Sequence, residues 1–178
     1  MIKRISIFYC LLIFPIFSSC KKKTIEPKFD YNQKANELIQ QVILDDLCVC
    51  ILEITNESLI KTSQNENPRF DIQKLILEKL HLRDRKELDS IEKLTNNFIL
   101  DSAFTRQKSI KVIPIKSLKE LAKDPNFFKT CPGGILGISK PIFNKEYKIA
   151  VLSHGYAFNC IGGGMATYRF KDGKWCKK

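Results

Sequence analysis

Hydrophobic positions follow three successive rhythms along the chain. From Ile5 to Phe17 they are nearly continuous, interrupted only by Ser6 and Pro15. Between Ala35 and Phe98 they return every three or four residues, the spacing that lays an apolar stripe on one side of a helix. Beyond Ile135 they gather in short runs separated by glycine- and asparagine-containing turns, as strands do. Within the helical region, Ala35, Leu38, Ile39, Val42 and Ile43 predict an amphipathic helix over 31–46. Asp30 is its expected N-cap, with Gln33 completing a capping box. Leu47 to Ile54 is rich in strand formers and predicts a buried or half-buried strand. The polar stretch from Thr62 to Asn67 predicts a loop ending at Pro68. Ile72, Leu75, Ile76 and Leu80 then place a stripe on a second helix. Leu88, Ile91, Leu94 and Phe98 do the same on a third, started by Asp84 and Glu87 and ended by Asp101.

Ile110 to Ile115 predicts a short strand. Ser117 and Glu120 form a capping box before a small helix that Asp124-Pro125 stops. The final third carries three expected strands, Ile135 to Ile138, Tyr147 to Leu152 and Met165 to Phe170. Asn144-Lys145-Glu146 and Gly162-Gly163-Gly164 connect them, and Lys171-Asp172-Gly173-Lys174 turns the chain before Trp175. Helices first and strands last predict an α+β fold, with N-terminal helices packed on a C-terminal antiparallel β-meander. A stretch as long as 30–178 buries nearly 70% of its unfolded surface, enough for one core.

The first rhythm has a different meaning. Met1-Ile2-Lys3-Arg4 gives a cationic start, the apolar run follows, and Ser18-Ser19-Cys20 precedes Lys21, Lys22 and Lys23. This order is that of an export signal, and the run is too short to span a bilayer. Phe17-Ser18-Ser19-Cys20 resembles a bacterial lipobox, with Phe17 in the place of the usual Leu. The resemblance implies a cleaved signal peptide over 1–19, diacylglycerol on the Cys20 sulfur, and a lipidated N-terminus and tether over 20–29. Two or three acyl chains anchor stably where one does not. The three lysines would meet anionic headgroups. The expected location is therefore a bacterial membrane, the outer membrane facing the periplasm.

Charge modifies this picture little. The formal net charge is +11, and loss of the leader removes Lys3 and Arg4. No basic-aromatic cluster stands out beyond the lysine tether, so nucleic acid is not an expected partner. Cysteine usage matters more. Cys10 leaves with the leader and Cys20 carries lipid, leaving Cys48, Cys50, Cys131, Cys160 and Cys176 for disulfides in an oxidising compartment. Cys48 and Cys50 sit two apart in one expected strand and point the same way, so they do not pair with each other. One of them is expected to pair with a C-terminal cysteine. A Cys-x-Cys metal site with His154 lacks a second ligand pair, and no metal is expected.

Two further features bear on chemistry. Gly162, Gly163 and Gly164 can turn backbone N–H groups toward an anion, yet no Gly-Lys-Ser/Thr follows, so they form no P-loop. The alternative is a tight turn or bulge that needs glycine. Imidazole titrates near neutral pH, so the His154 ring is a candidate base, but Ser153 beside it lies on the opposite face of a strand and is not its nucleophile. His81 reads as a helix end. Asp45 and Asp46, closing the first helix, diverge too far to act as a carboxylate pair. No catalytic constellation and no cofactor motif emerge.

Ser139-Lys140-Pro141-Ile142-Phe143-Asn144, Ala150, the glycine run and Asp172-Gly173-Lys174-Trp175 resemble the C-terminal meander of small lipoproteins of Bacteroidetes-type bacteria, a group with no assigned activity. The resemblance covers roughly the last forty residues and implies Phe143, Tyr147 and Trp175 as packing anchors. The expected function is a binding or structural module held to the membrane by its lipid, with an envelope protein or ligand as partner. An envelope hydrolase using His154, and a thiol redox or metal-handling protein using Cys48 and Cys50, are the alternatives.

Overall fold

The structure, a computed structural model, describes residues 30–46, 49–66, 70–158 and 163–178. The leader, Cys20 and the tether lie outside the described residues, as do Cys48, Cys160 and Gly162.

Helix α1 (Tyr31–Asp45) starts where Asp30 accepts the Asn32 N–H at 3.0 Å. Gln33 does not close the expected capping box; its amide donates to Glu37 Oε1 one turn on. Strand β1 is shorter than its apolar run, Cys50–Leu52. A helix, α2 (Leu59–Glu66), replaces the expected polar loop. Ser58 Oγ accepts the Lys61 N–H, and Leu59 and Ile60 bury the first turn, so cap and anchor outweigh the polar residues that follow.

Helix α3 (Ile72–Leu80) follows its predicted stripe, whereas α4 (Arg85–Leu94) buries Leu88 and Ile91 but ends at an exposed Leu94, so Phe98 lies beyond it. His81 ends α3 in the left-handed conformation, φ 56°, as its helix-end position suggests. Asp84 accepts the Glu87 N–H at 2.9 Å, and Glu87 accepts the Arg83 N–H at 2.8 Å. Asp101 ends no helix. It caps a further one, α5 (Ser102–Gln107), by accepting the N–H groups of Ala103 and Phe104.

Strand β2 (Lys111–Ile113) precedes two one-turn helices, α6 (Leu118–Leu121) and α7 (Phe127–Thr130). Ser117 makes no cap bond, because a 3-10 turn over Ile115–Ser117 already holds it in helical backbone.

The remaining strands are β3 (Ile135–Ile138), β4 (Ile142–Phe143), β5 (Ile149–Ala157), β6 (Gly163–Lys171) and β7 (Lys174–Lys177). They build one seven-stranded sheet in the order β2-β1-β3-β5-β6-β7, with β4 beyond β3 along the same side of β5. The C-terminal strands are antiparallel, as expected. The sheet also extends further than a meander, since β1 pairs parallel with both β2 and β3. Gly163 and Gly164 are not a connection but the first residues of β6, opposite Gly155 and His154. Asp172 (φ 51°) and Gly173 (φ 80°) form the two-residue hairpin that a right-twisted pair of strands favours.

Helices cover both faces. On one, α1 packs Leu38, Ile39, Val42 and Ile43 against Leu136, Leu152, Tyr168 and Trp175. Phe143 is buried there, its ring 5.2 Å from Tyr147 and 5.4 Å from Trp175, which makes these three the aromatic anchors of the C-terminal sheet. On the other face, α2, α3 and α4 bury Val151 and Ile142 under Leu59, Ile76, Leu80 and Leu88. A third apolar cluster gathers Phe127 and Ile135 around the Cys50–Cys131 disulfide. One cysteine of the Cys-x-Cys is thus paired, with the cysteine that heads the C-terminal third; Cys176, at the chain's end, is a free thiol.

Gln41 ties α1 to the outer edge of the sheet. Its carbonyl oxygen accepts the Trp175 N–H at 2.9 Å, and its amide donates to the Trp175 carbonyl. The side chain thereby takes the hydrogen bonds a further strand would make at Trp175.

Candidate functional site

The order of the strands determines where a cleft can open. The chain leaves β1, returns on one flank as β2, then crosses to the other flank as β3. All three run parallel; the connection that leaves β1 goes to one flank, and the connection that leaves β3 goes to the other. Crevices that hold ligands in open sheets lie at the carboxyl ends of parallel strands, at such a reversal. β1 and β3 share one paired position, Ile51 opposite Leu136, and separate beyond it. There, between Leu52–Thr55 and Gly137–Lys140, lies a cleft of about 500 Å³. That volume falls within the roughly 300–1,000 Å³ usual for small-molecule sites.

The floor of the cleft is backbone. Gly137 stands opposite Gly155, and Gly155 opposite Gly163, so three neighbouring strands present no side chain in one row. This row is on the α2 face of the sheet, which it shares with Ser153, Met165 and Ala157 by the strict alternation of strand positions. Close approach explains part of it. A Cβ on Gly163 would lie 2.8 Å from the Gly155 Cα and 3.0 Å from the His154 oxygen, and its φ is +156°. Gly164, at φ +148°, is likewise confined to glycine-favoured backbone. The expected backbone demand is therefore met by strand pairing rather than by a turn.

Leu59, Thr62 and Ser63 of α2 wall one side, and Ser139 and Lys140 the other. Pro141 lacks an N–H and interrupts the ladder between β3 and β4. Ser139 bridges the interruption: its N–H donates to the Ser153 carbonyl at 2.8 Å, and its Oγ accepts the Ser153 N–H at 2.9 Å. Lys140 follows at the break and turns inward. It is 2% exposed, and its ammonium donates to the Asn56 carbonyl at 2.9 Å. Asn56 lies between Thr55 and Glu57, both on the cleft rim. Among the described residues no carboxylate forms an ion pair with Lys140. Loss of hydration holds its pKa below the ordinary lysine value, and the more distant Glu92 opposes the shift.

Gly163, Gly164 and His154 meet at the cleft, but the His154 ring belongs to the opposite face. It alternates with Ser153 and shares the α1 side with Leu152 and Tyr156. Its Nδ1 is buried and has no hydrogen-bond partner among the described residues. Burial lowers its pKa, Lys177 lowers it further, and Asp46 raises it in part. Ser139 and Ser153, on the far side of the sheet, are not presented to it. A hydrolytic pairing through His154 thus gains no support from the geometry. The Cys-x-Cys alternative loses one thiol, because the Cys50 sulfur is bonded to Cys131. No group of three or more His, Cys, Asp or Glu among the described residues is arranged to hold a metal.

Sequence reading passed over Lys140 and Gly137. A lysine beside a proline reads as solvated surface, and the glycine row exists only in the register between strands. The available signal was Pro141, which marks a break inside an otherwise apolar strand. Comparisons with known protein families, with curated proteins and with solved structures find no match for this chain.

Proposed function

We propose that the protein is a lipid-anchored component of a bacterial cell envelope, a binding module rather than an enzyme, that takes a small ligand between the ends of β1 and β3. The observation that carries the binding role is the position of the cleft. It opens at the carboxyl ends of two parallel strands where the chain reverses flank, over a floor of glycines. The anchor rests on the leader and on the Phe17-Ser18-Ser19-Cys20 resemblance. The Cys50–Cys131 disulfide supports export, since such bonds persist in oxidising compartments.

Two measurements test the two halves. Cells expressing the full chain and fed an alkyne-tagged palmitate should label the wild-type protein and not Cys20→Ser; an unlabelled wild type overturns the anchor. A fragment screen by amide NMR on the full chain should shift the Gly137, Gly155 and Gly163 signals together. Fragments that perturb only other surfaces, or none at all, overturn the binding site.

A further inference from the structure

Glycine pairing accounts for the floor of the cleft, but it does not account for the lysine beside it. Lysine is almost never fully buried unless a carboxylate pairs with it. Lys140 is buried at the cleft margin with a single carbonyl as its hydrogen-bond acceptor. An ammonium carries three donors, so the one bond to Asn56 leaves donor capacity without a partner among the described residues.

Resting on the reading of the cleft as a binding site, we propose that Lys140 anchors the carboxylate of a small hydroxylated acid lying over the Gly137–Gly155–Gly163 row. The other charges nearby define the class. Glu53 and Glu57 also line the cleft, Glu92 acts on Lys140 from outside it, and among the described residues no arginine lines it. Glu57 reaches Lys61 at 3.6 Å, and Glu53 accepts the Ile115 N–H at 3.4 Å, so neither neutralises Lys140. A phosphate dianion would face these carboxylates with one cation to hold it, whereas a carboxylate monoanion brings half that charge against the same set. The walls supply hydroxyls from Thr62, Ser63 and Ser139. Ser139 Oγ already accepts from the Ser153 N–H and keeps its own proton to donate. Such a set recognises a ligand that carries hydroxyls beside its acid group. The bare floor lets that ligand lie directly on backbone, since none of the three glycines carries a side chain.

The test is calorimetric titration of the full-length protein in detergent micelles with lactate, glycerate, lactamide and inorganic phosphate. Lactate or glycerate should bind, and neutral lactamide should not. Lys140→Met should weaken the binding about thirtyfold, or about 2 kcal/mol, the loss expected when one partner of a buried charged hydrogen bond is removed. Unliganded Lys140→Met should unfold at the same temperature as the wild type or higher, because it removes a buried charge. Should the variant fail to fold, the unaltered protein serves instead: the Lys140 side-chain NMR signal should move on addition of lactate. Carboxylate binding that survives Lys140→Met, a Lys140 signal that stays put while lactate binds, or phosphate binding more tightly than lactate each overturns the proposal. So does a panel in which neither acid binds. In that last case, a neutral fragment that still shifts the Gly155 and Gly163 amides leaves the cleft as a binding site and removes only the role of Lys140.

Discussion

Glu87 serves both the start of α4 and a tertiary contact. Its carboxylate accepts from the Lys145 ammonium at 2.7 Å, the Arg83 N–H at 2.8 Å and the Arg83 guanidinium at 3.4 Å. These bonds, that from Lys145 foremost, hold its pKa down to about 2, against an ordinary value of 4.5. A lowered carboxylate pKa stabilises the fold at pH values above the unfolded one, and that stability is lost as pH falls toward the folded value. Glu87→Gln should therefore lower the melting temperature at pH 7 and bring it close to the wild type's near pH 2, in a series of thermal scans. His154 has the opposite chemistry and the same direction with pH. Burial favours its neutral ring, so the unfolded chain takes up the proton first as pH drops below 6.5. His154→Gln should flatten the decline in stability just below that pH, measured by urea unfolding at closely spaced values. At this scale the sequence was informative about caps: Asp30, Asp84 and His81 stand where their chemistry puts them. It was silent about Lys140, because burial of a long cation depends on a strand break and a loop that meet only in the folded chain.

Elements were legible where an apolar stripe was long and regular. α1 and α3 follow such stripes, as does α4 through Ile91, and β5, β6 and the Asp172-Gly173 hairpin follow their alternation and turn. α2 was not, since Thr62, Ser63 and Gln64 are polar and its cap, Ser58, sits in a stretch with no apolar rhythm before it. Strand β1 was overread, because a run from Leu47 to Ile54 has the composition of a long strand while its pairing partners β2 and β3 are short. The glycines illustrate the same limit. Three in succession suggested a turn, but two of them are strand residues held against a neighbouring glycine. This gives a sharp contrast between variants. Gly163→Ala drives a methyl group against the Gly155 backbone at an unfavourable φ and should cost about 1–3 kcal/mol in equilibrium unfolding. Gly133→Ala meets nothing within 4 Å and should be nearly neutral in the same assay. Equal effects from the two would refute the close pairing of β5 with β6.

For the molecule as a whole, the α+β class and the helical layer over the C-terminal strands could be read from the order of patterns. The parallel pairing could not, because nothing local in Cys50–Leu52 or Lys111–Ile113 specifies which strand lies beside which. Nor could the partner of Cys50. The disulfide it forms closes a loop across a separation of 81 residues, from the start of β1 through β2 to the end of α7. Loops of that size make cross-links effective, and Cys131→Ala should lose about 2–4 kcal/mol of unfolding free energy in denaturant titration. The two margins of the sheet complete the picture. One ends in the three-residue β2, with Lys111 at its start; the other is occupied by Gln41. Exposed margins are templates on which identical chains polymerise. With one margin three residues long and the other carrying a side-chain amide at Trp175, copies crowded shoulder to shoulder find little template on which to zip together.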